Sequence, residues 1–130
     1  MIFGEKLLPK VLDGSKTVTR RPVKPGNSLH GPDWRPCKYE VGRTYGVQPV
    51  IKDGPGKGRG GKSVARIRVK SVRREPLGHQ LTISEAAKEG FGGFRAFRDY
   101  WEGELYGSYD PTQLVDRIEF ELVPDSGTGS

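Results

Sequence analysis

Apolar and polar positions change their period along this chain, and each change marks an element. Leu7, Leu8, Val11 and Leu12 recur at helical spacing, which predicts a helix over residues 5–13, and Gly14 supplies the left-handed residue that closes one. Thr17-Val18-Thr19 then switches to a β-branched run. Thr17, Thr19 and Arg21 share one face of the predicted strand, while Val18 points the other way. That alternation assigns an apolar face to Val18 and a reactive polar face to Thr19, and Arg20 is expected to be exposed.

Residues 44–52 read as a strand, 53–62 as a glycine-rich tip and 63–74 as the returning strand of a long hairpin. In the return strand Ala65, Ile67, Val69 and Ser71 alternate with Arg66, Arg68 and Lys70. The apolar set is placed inward and the three cations outward, about 6.6 Å apart. Thr82-Ile83-Ser84-Glu85 fits a capping box for a short helix over 83–89 that ends at Gly90. A further helix over 94–105 carries Phe94, Phe97 and Trp101 as its core stripe. The strand over 115–123 turns Ile118, Phe120 and Leu122 inward. Between them, residues 21–37 hold turn formers at nearly every second position and form a long loop, with Trp34 and Tyr39 as its anchors or as a stacking platform. The pattern describes one domain over 1–123 and a flexible tail over 124–130.

Composition narrows the class. A chain of 130 residues supports one modest core, and no stretch approaches the roughly 20 apolar residues of a membrane span. The start lacks the basic and apolar regions of a secretory signal, and the lone Cys37 has no intramolecular disulfide partner, so a cytoplasmic protein is expected. His30 and His79 lie far apart in sequence, which leaves no ligand spacing for a metal and no reason to expect a cofactor. Nineteen glycines and ten prolines suit a small barrel better than a helical bundle.

The net charge of +6 is unevenly spread. Lys57, Arg59, Lys62, Arg66, Arg68, Lys70, Arg73 and Arg74 occur without an intervening acid, whereas the acids cluster in the C-terminal part. Such a block is either a solvated strand face or a nucleic-acid contact. The glycine-rich tip is no nucleotide-phosphate loop, because Gly61-Lys62-Ser63 leads into a strand rather than a helix.

Candidate chemistry gathers at Lys16. A lysine just after a helix end and partly desolvated has a lowered pKa and can serve as a base, and Thr19 offers a hydroxyl nucleophile that needs one. Residues three apart in a strand face opposite ways, so Lys16 must lie in the turn to reach Thr19. Glu89 enters as the second ionisable group, from a helix C-terminus where a carboxylate is unfavourable against the dipole. The plainer alternatives are a lysine on the carbonyls of the preceding helix, a threonine chosen for the strand, and a glutamate paired with Lys88 or an arginine.

Gly14-x-Lys16-x-x-Thr19-x-Arg21 resembles the signature of the ASCH domain, Gly-x-Lys-x-x-Glu-x-Arg, with threonine at the glutamate position as in the branch of the bacterial 4-acetylcytidine amidohydrolases. Further matches are Tyr39-Glu40-Val41-Gly42-Arg43-Thr44-Tyr45-Gly46-Val47, then Ala86-Ala87-Lys88-Glu89-Gly90-Phe91 with Phe97 and Trp101, and Arg117-Ile118-Glu119-Phe120-Glu121-Leu122. The resemblance implies an α+β fold, a PUA-like barrel of about five to six strands with short flanking helices and a pocket beside the helix of Glu89. It further implies that Lys16 activates Thr19 to attack the acetyl group of an acetylated cytidine while Glu89 assists departure of the base amine. Gly14, Arg21, Arg66, Arg68 and Lys70 would contact substrate or nucleic acid, and no metal or cofactor is called for. The implied partner is RNA or a modified nucleoside, with single-stranded DNA a further possibility. Two alternatives stay open: a non-catalytic RNA- or DNA-binding module using the same cleft and the basic hairpin, and a single-stranded RNA nuclease.

Overall fold

The computed structural model describes residues 1–23, 37–51, 58–79 and 81–124. In chain order these form β1 (Ile2–Phe3), α1 (Leu8–Leu12), β2 (Val18–Pro22), β3 (Thr44–Ile51), β4 (Arg59–Gly60), β5 (Ala65–Pro76), α2 (Ile83–Glu89), α3 (Phe94–Tyr100), a π-helical turn (Trp101–Tyr106) and β6 (Leu114–Val123). This is the expected α+β class: a six-stranded sheet with short helices around it. Strand order is β1-β3-β5-β6-β2, with β4 paired to β3 beside that path. β1 runs parallel to β3, and the other pairings are antiparallel.

The outermost strands β1 and β2 do not pair with each other, yet a side chain joins them. Arg21 of β2 donates from Nη2 to the Ile2 carbonyl of β1 at 2.9 Å, and its guanidinium lies 5.7 Å from the centre of the Phe3 ring. The sheet is therefore curled but open, with a seam that an arginine bridges where a barrel would have a ladder of backbone bonds.

Cross-strand register sorts the residues onto two faces. Ile118 opposes Thr19 on β2 and Val72 on β5, while Phe120 opposes Val69. Ile67, Val69, Ile118 and Phe120 thereby meet Met1, Phe3, Val11, Tyr39 and Val47 in the main core. On the other face Val115 packs with Leu77, Phe97 and Trp101 beneath α3. We call these the inner and outer faces.

Several expectations change at this level. The register between β5 and β6 shifts between Val69 and Ser71, so Lys70 is the extra residue of a bulge. Parity reverses there: Ser71, expected inward, turns outward and its hydroxyl donates to Glu119 Oε1 at 3.2 Å, and Val72 takes the inner place. Leu122 keeps the inner parity but sits near the end of its strand and is 38% exposed. The first helix is shorter than its apolar spacing, because the chain makes a turn in which both Leu7 and Leu8 N–H groups bond the Gly4 carbonyl before α1 begins. The predicted helix over 94–105 is α-helical only to Tyr100, and Phe94 at its start is 39% exposed. The hairpin forms, with β4 inside the stretch read as its tip. Tyr39 is a loop anchor, packed edge-on against Tyr45 at 4.9 Å. Trp34 and His30, the hairpin tip at 52–57 and the tail at 125–130 lie outside the described residues. Among the described residues no helix is long and apolar enough to cross a membrane.

Candidate functional site

The site begins with the short helix α2. Thr82 Oγ1 accepts the Glu85 N–H at 3.2 Å, which caps the start, and Gly90 at φ 101° ends the helix in the left-handed region. The Glu85 side chain does not complete a capping box, because it is needed elsewhere. Glu85, Ala86 and Glu89 form the buried face of α2, so the helix offers the sheet two carboxylates at i and i+4.

What meets them is a row of cations. Arg20 and Arg117 oppose each other across β2 and β6. Arg20 donates from Nη2 to Glu85 Oε1 at 2.7 Å and from Nη1 to Glu89 Oε2 at 2.8 Å. Arg117 grips Glu85 with two bonds, Nε to Oε1 at 2.6 Å and Nη2 to Oε2 at 3.0 Å. Lys88 adds a half-exposed contact to Glu85 at 3.3 Å. Arg20, expected at the surface, is only 3% exposed. The expected faces of β2 are thus exchanged: the Val18 and Arg20 side carries the ionic network, and Thr19 faces the apolar core with Ile118.

Lys16 is 1% exposed and spends all three ammonium protons on the protein. It donates to the Val18 carbonyl at 2.6 Å, to the Glu89 carbonyl at 2.8 Å and to Glu89 Oε1 at 3.0 Å. The helix end that it serves is that of α2, where a cation complements the dipole, rather than that of α1. Burial pushes its pKa down, and the neighbouring Glu89 charge opposes that shift. The two guanidinium groups hold the Glu85 carboxyl at about 2, the Arg117 bonds being the largest cause.

The structure therefore brings Lys16 and Glu89 together and keeps Thr19 out of their hydrogen-bond network. Thr19 is buried, and among the described residues none hydrogen-bonds its hydroxyl. Gly14 at φ 85° is exposed and shapes the turn before Lys16, with Ser15 N–H bonded to Asp13 Oδ1 at 2.8 Å. Arg21 stands at the seam. Arg66, Arg68 and Lys70 are exposed on β5, where Arg66 Nη2 donates to Thr44 Oγ1 at 2.9 Å and Arg68 lies 3.7 Å from Glu121.

The π-helical turn belongs to the same region. α3 lies close to β1, since a Cβ on Gly4 would stand 3.0 Å from the Tyr100 hydroxyl. Tyr106, at the end of the turn, packs its ring on Trp101 with centroids 4.5 Å apart. Burial raises its phenol pKa, with the Arg21 charge opposing that shift and the Glu89 charge adding to it.

Sequence reasoning missed Glu85, Arg20, Arg117 and Tyr106. Two glutamates four apart around Ala86 were a legible sign of a buried acidic helix face, and Arg20 shares strand parity with Lys16. Tyr106 gave no signal, because the change to π-helical winding moves it off the α-helical stripe. Among the described residues no group of three or more His, Cys, Asp or Glu side chains is placed to hold a metal ion.

No protein-family model and no curated protein matches this chain. Among solved structures it is similar to the crystal structure of protein EF3133 from Enterococcus faecalis V583, described under the family model DUF984, with a TM-score of 0.52 and 20% identity over 88% of this chain and 68% of that one. It is also similar to the crystal structure of an ASCH domain from Lactobacillus crispatus JV V101, with a TM-score of 0.49 and 19% identity over the same shares of the two chains. The curled six-stranded sheet, with its short helices, is thus a fold shared with the Enterococcus protein.

Proposed function

We propose that this chain is an ASCH-type module that handles RNA or a modified nucleoside, and that its seam site binds the ligand without hydrolysing it. The observation that carries the reading is the bonding of Lys16. An ammonium with three acceptors, one of them a carboxylate, is held as a cation and has no lone pair with which to take a proton. Thr19, the hydroxyl it would activate, faces Ile118 instead. What remains is a recognition site: Arg21 at the seam with guanidinium N–H groups beyond the one given to Ile2, and the exposed Arg66, Arg68 and Lys70 to track a phosphate backbone.

A second reading, hydrolysis of an N-acetylated cytidine, is favoured by the lowered pKa of Lys16. A ligand that displaced Glu89 from the ammonium would free the amine to activate a hydroxyl, with no metal required.

One experiment separates the two. Purified protein is incubated with N4-acetylcytidine and with labelled single-stranded RNA, and acetate release and RNA retention are measured for wild type, Lys16→Ala, Arg21→Ala, Thr19→Val and Glu89→Gln. The binding reading expects RNA retention without acetate release, with retention lost in Arg21→Ala. Acetate release that disappears in Thr19→Val would overturn it in favour of the hydrolase.

A further inference from the structure

Arg21, Asp116 and Arg74 lie in one row across the sheet. Arg21 on β2 stands directly opposite Asp116 on β6, and Asp116 stands directly opposite Arg74 on β5. The row has the inner parity of Thr19, Ile118 and Val72, two residues along each strand, so it faces away from Arg66 and Arg68. Asp116 is only 7% exposed and has an arginine on either side, but it gives both oxygens to one of them. Arg74 donates from Nε to Oδ1 at 2.8 Å and from Nη2 to Oδ2 at 3.1 Å, the two-pronged geometry that a guanidinium and a carboxylate favour. Arg21 is turned the other way. Its Nη2 donates to the Ile2 carbonyl at 2.9 Å and its guanidinium lies 5.7 Å from the centre of the Phe3 ring, and neither partner carries a negative charge. The result is a cation at the seam beside a carboxylate that a second arginine holds away from it.

We infer that the seam takes a phosphate group of its ligand on Arg21, and that Arg74 is a positioning residue that keeps Asp116 from neutralising that arginine. Directly opposed side chains on antiparallel strands have Cβ atoms about 4.5–5.5 Å apart, so the Asp116 carboxylate would reach Arg21 if it lost Arg74. A buried carboxylate left unpaired is costly, which drives it to that second partner. Phosphate offers Arg21 what Ile2 and Phe3 do not, a charged acceptor for the remaining guanidinium N–H groups. The inference rests on the reading of the seam as a site for RNA or a nucleoside, and it adds that a nucleoside without phosphate binds there weakly.

The test titrates cytidine, cytidine monophosphate and a short oligocytidylate into wild type, Arg21→Ala, Arg74→Met, Asp116→Asn and the double variant Arg74→Met with Asp116→Asn, and checks each by circular dichroism. Wild type should bind the monophosphate about ten- to hundredfold more tightly than cytidine, the worth of a hydrogen bond to a charged group. Arg21→Ala and Arg74→Met should both lose that preference, although only Arg21 touches the phosphate. The double variant should recover it, because asparagine cannot neutralise Arg21. If Arg74→Met does not fold, Asp116→Asn decides the matter: it should bind the monophosphate at least as tightly as wild type, and a fall to the level of Arg21→Ala would overturn the inference. A preference that survives in Arg74→Met, or fails to return in the double variant, would equally overturn the role of Arg74. Monophosphate that binds wild type no more tightly than cytidine, while Arg21→Ala still weakens the oligocytidylate, would overturn the inference and leave the seam reading standing. Failure of wild type to bind the monophosphate or the oligocytidylate would remove both.

Discussion

Arg20 and Arg117 stand directly opposite each other on neighbouring antiparallel strands, and Glu85 lies between them, 2.7 Å from Arg20 Nη2 and 2.6 Å from Arg117 Nε. Two like charges at a cross-strand pair repel, and here both are buried. The pair persists because a carboxylate from α2 is shared between them. Helix and sheet are joined by charge as much as by apolar packing: the buried face of α2 carries Ala86 between two glutamates.

Glu85→Gln should cost about 3–5 kcal/mol, the usual penalty for breaking a buried ion pair from one side, because both arginines would stay buried. Urea unfolding measures it. A loss below about 1 kcal/mol would mean that water enters the network freely.

The same residue sets an acid limit. Its carboxyl lies at about 2 in the folded chain against an ordinary 4.5, so its contribution is complete above about pH 4.5 and disappears as pH falls toward 2. The drop corresponds to roughly 3 kcal/mol of pH-dependent stability. Thermal unfolding followed from pH 6 to pH 2 should decline through this window in wild type, and the decline should be shallower in Glu85→Gln.

Gly90→Ala is expected to destabilise by about 1–2 kcal/mol from backbone strain alone, since φ is 101°. The added methyl would also stand 3.2 Å from Lys10 Cδ, so the Lys10 side chain, whose ammonium donates to the Gly90 carbonyl, would have to shift, while Leu7 Cδ2 at 3.4 Å and Lys16 Cβ at 3.7 Å stay in ordinary contact. Denaturant midpoints compared with those of Gly14→Ala separate the two contributions, because nothing lies within 4 Å of a Cβ at Gly14, where φ is also positive.

Replacing Arg66, Arg68 and Lys70 together by Ser should weaken single-stranded RNA and lower the slope of log affinity against log salt by about 2, from three lost phosphate contacts at about 0.7 each. Filter binding at several salt concentrations reads this directly. An unchanged slope would make these cations a solubilising face.

At the seam, Arg21→Met removes the bond to the Ile2 carbonyl. The Gln48 amide, which bonds the Met1 carbonyl at 2.9 Å beside it, should then exchange with solvent roughly fivefold faster, the worth of about one hydrogen bond. Amides of β5 and β6 should keep their rates.

Local patterning decided a good deal of this protein. Alternation in Ile67 and Val69 placed β5, the Thr82 cap and Gly90 delimited α2, and Gly14 ended the turn before Lys16, because each of these depends on neighbours within a few residues. The proximity of Lys16 and Glu89 was also expected at the sequence level, through a family resemblance rather than through spacing. Tertiary structure decided the rest. A face of β2 that alternation alone reads as apolar became ionic because α2 covers it with Glu85 and Glu89, and no local rule says which helix will cover which face. The bulge at Lys70 reversed the parity of Ser71 through the register of β6, a partner far along the chain. Arg21 became a bridge because curvature of the whole sheet brought β1 to β2, and Tyr106 came to pack on Trp101 because the helix changed its winding there. Charges and ring faces acquire their roles from what packs against them, and that is set by long-range contacts.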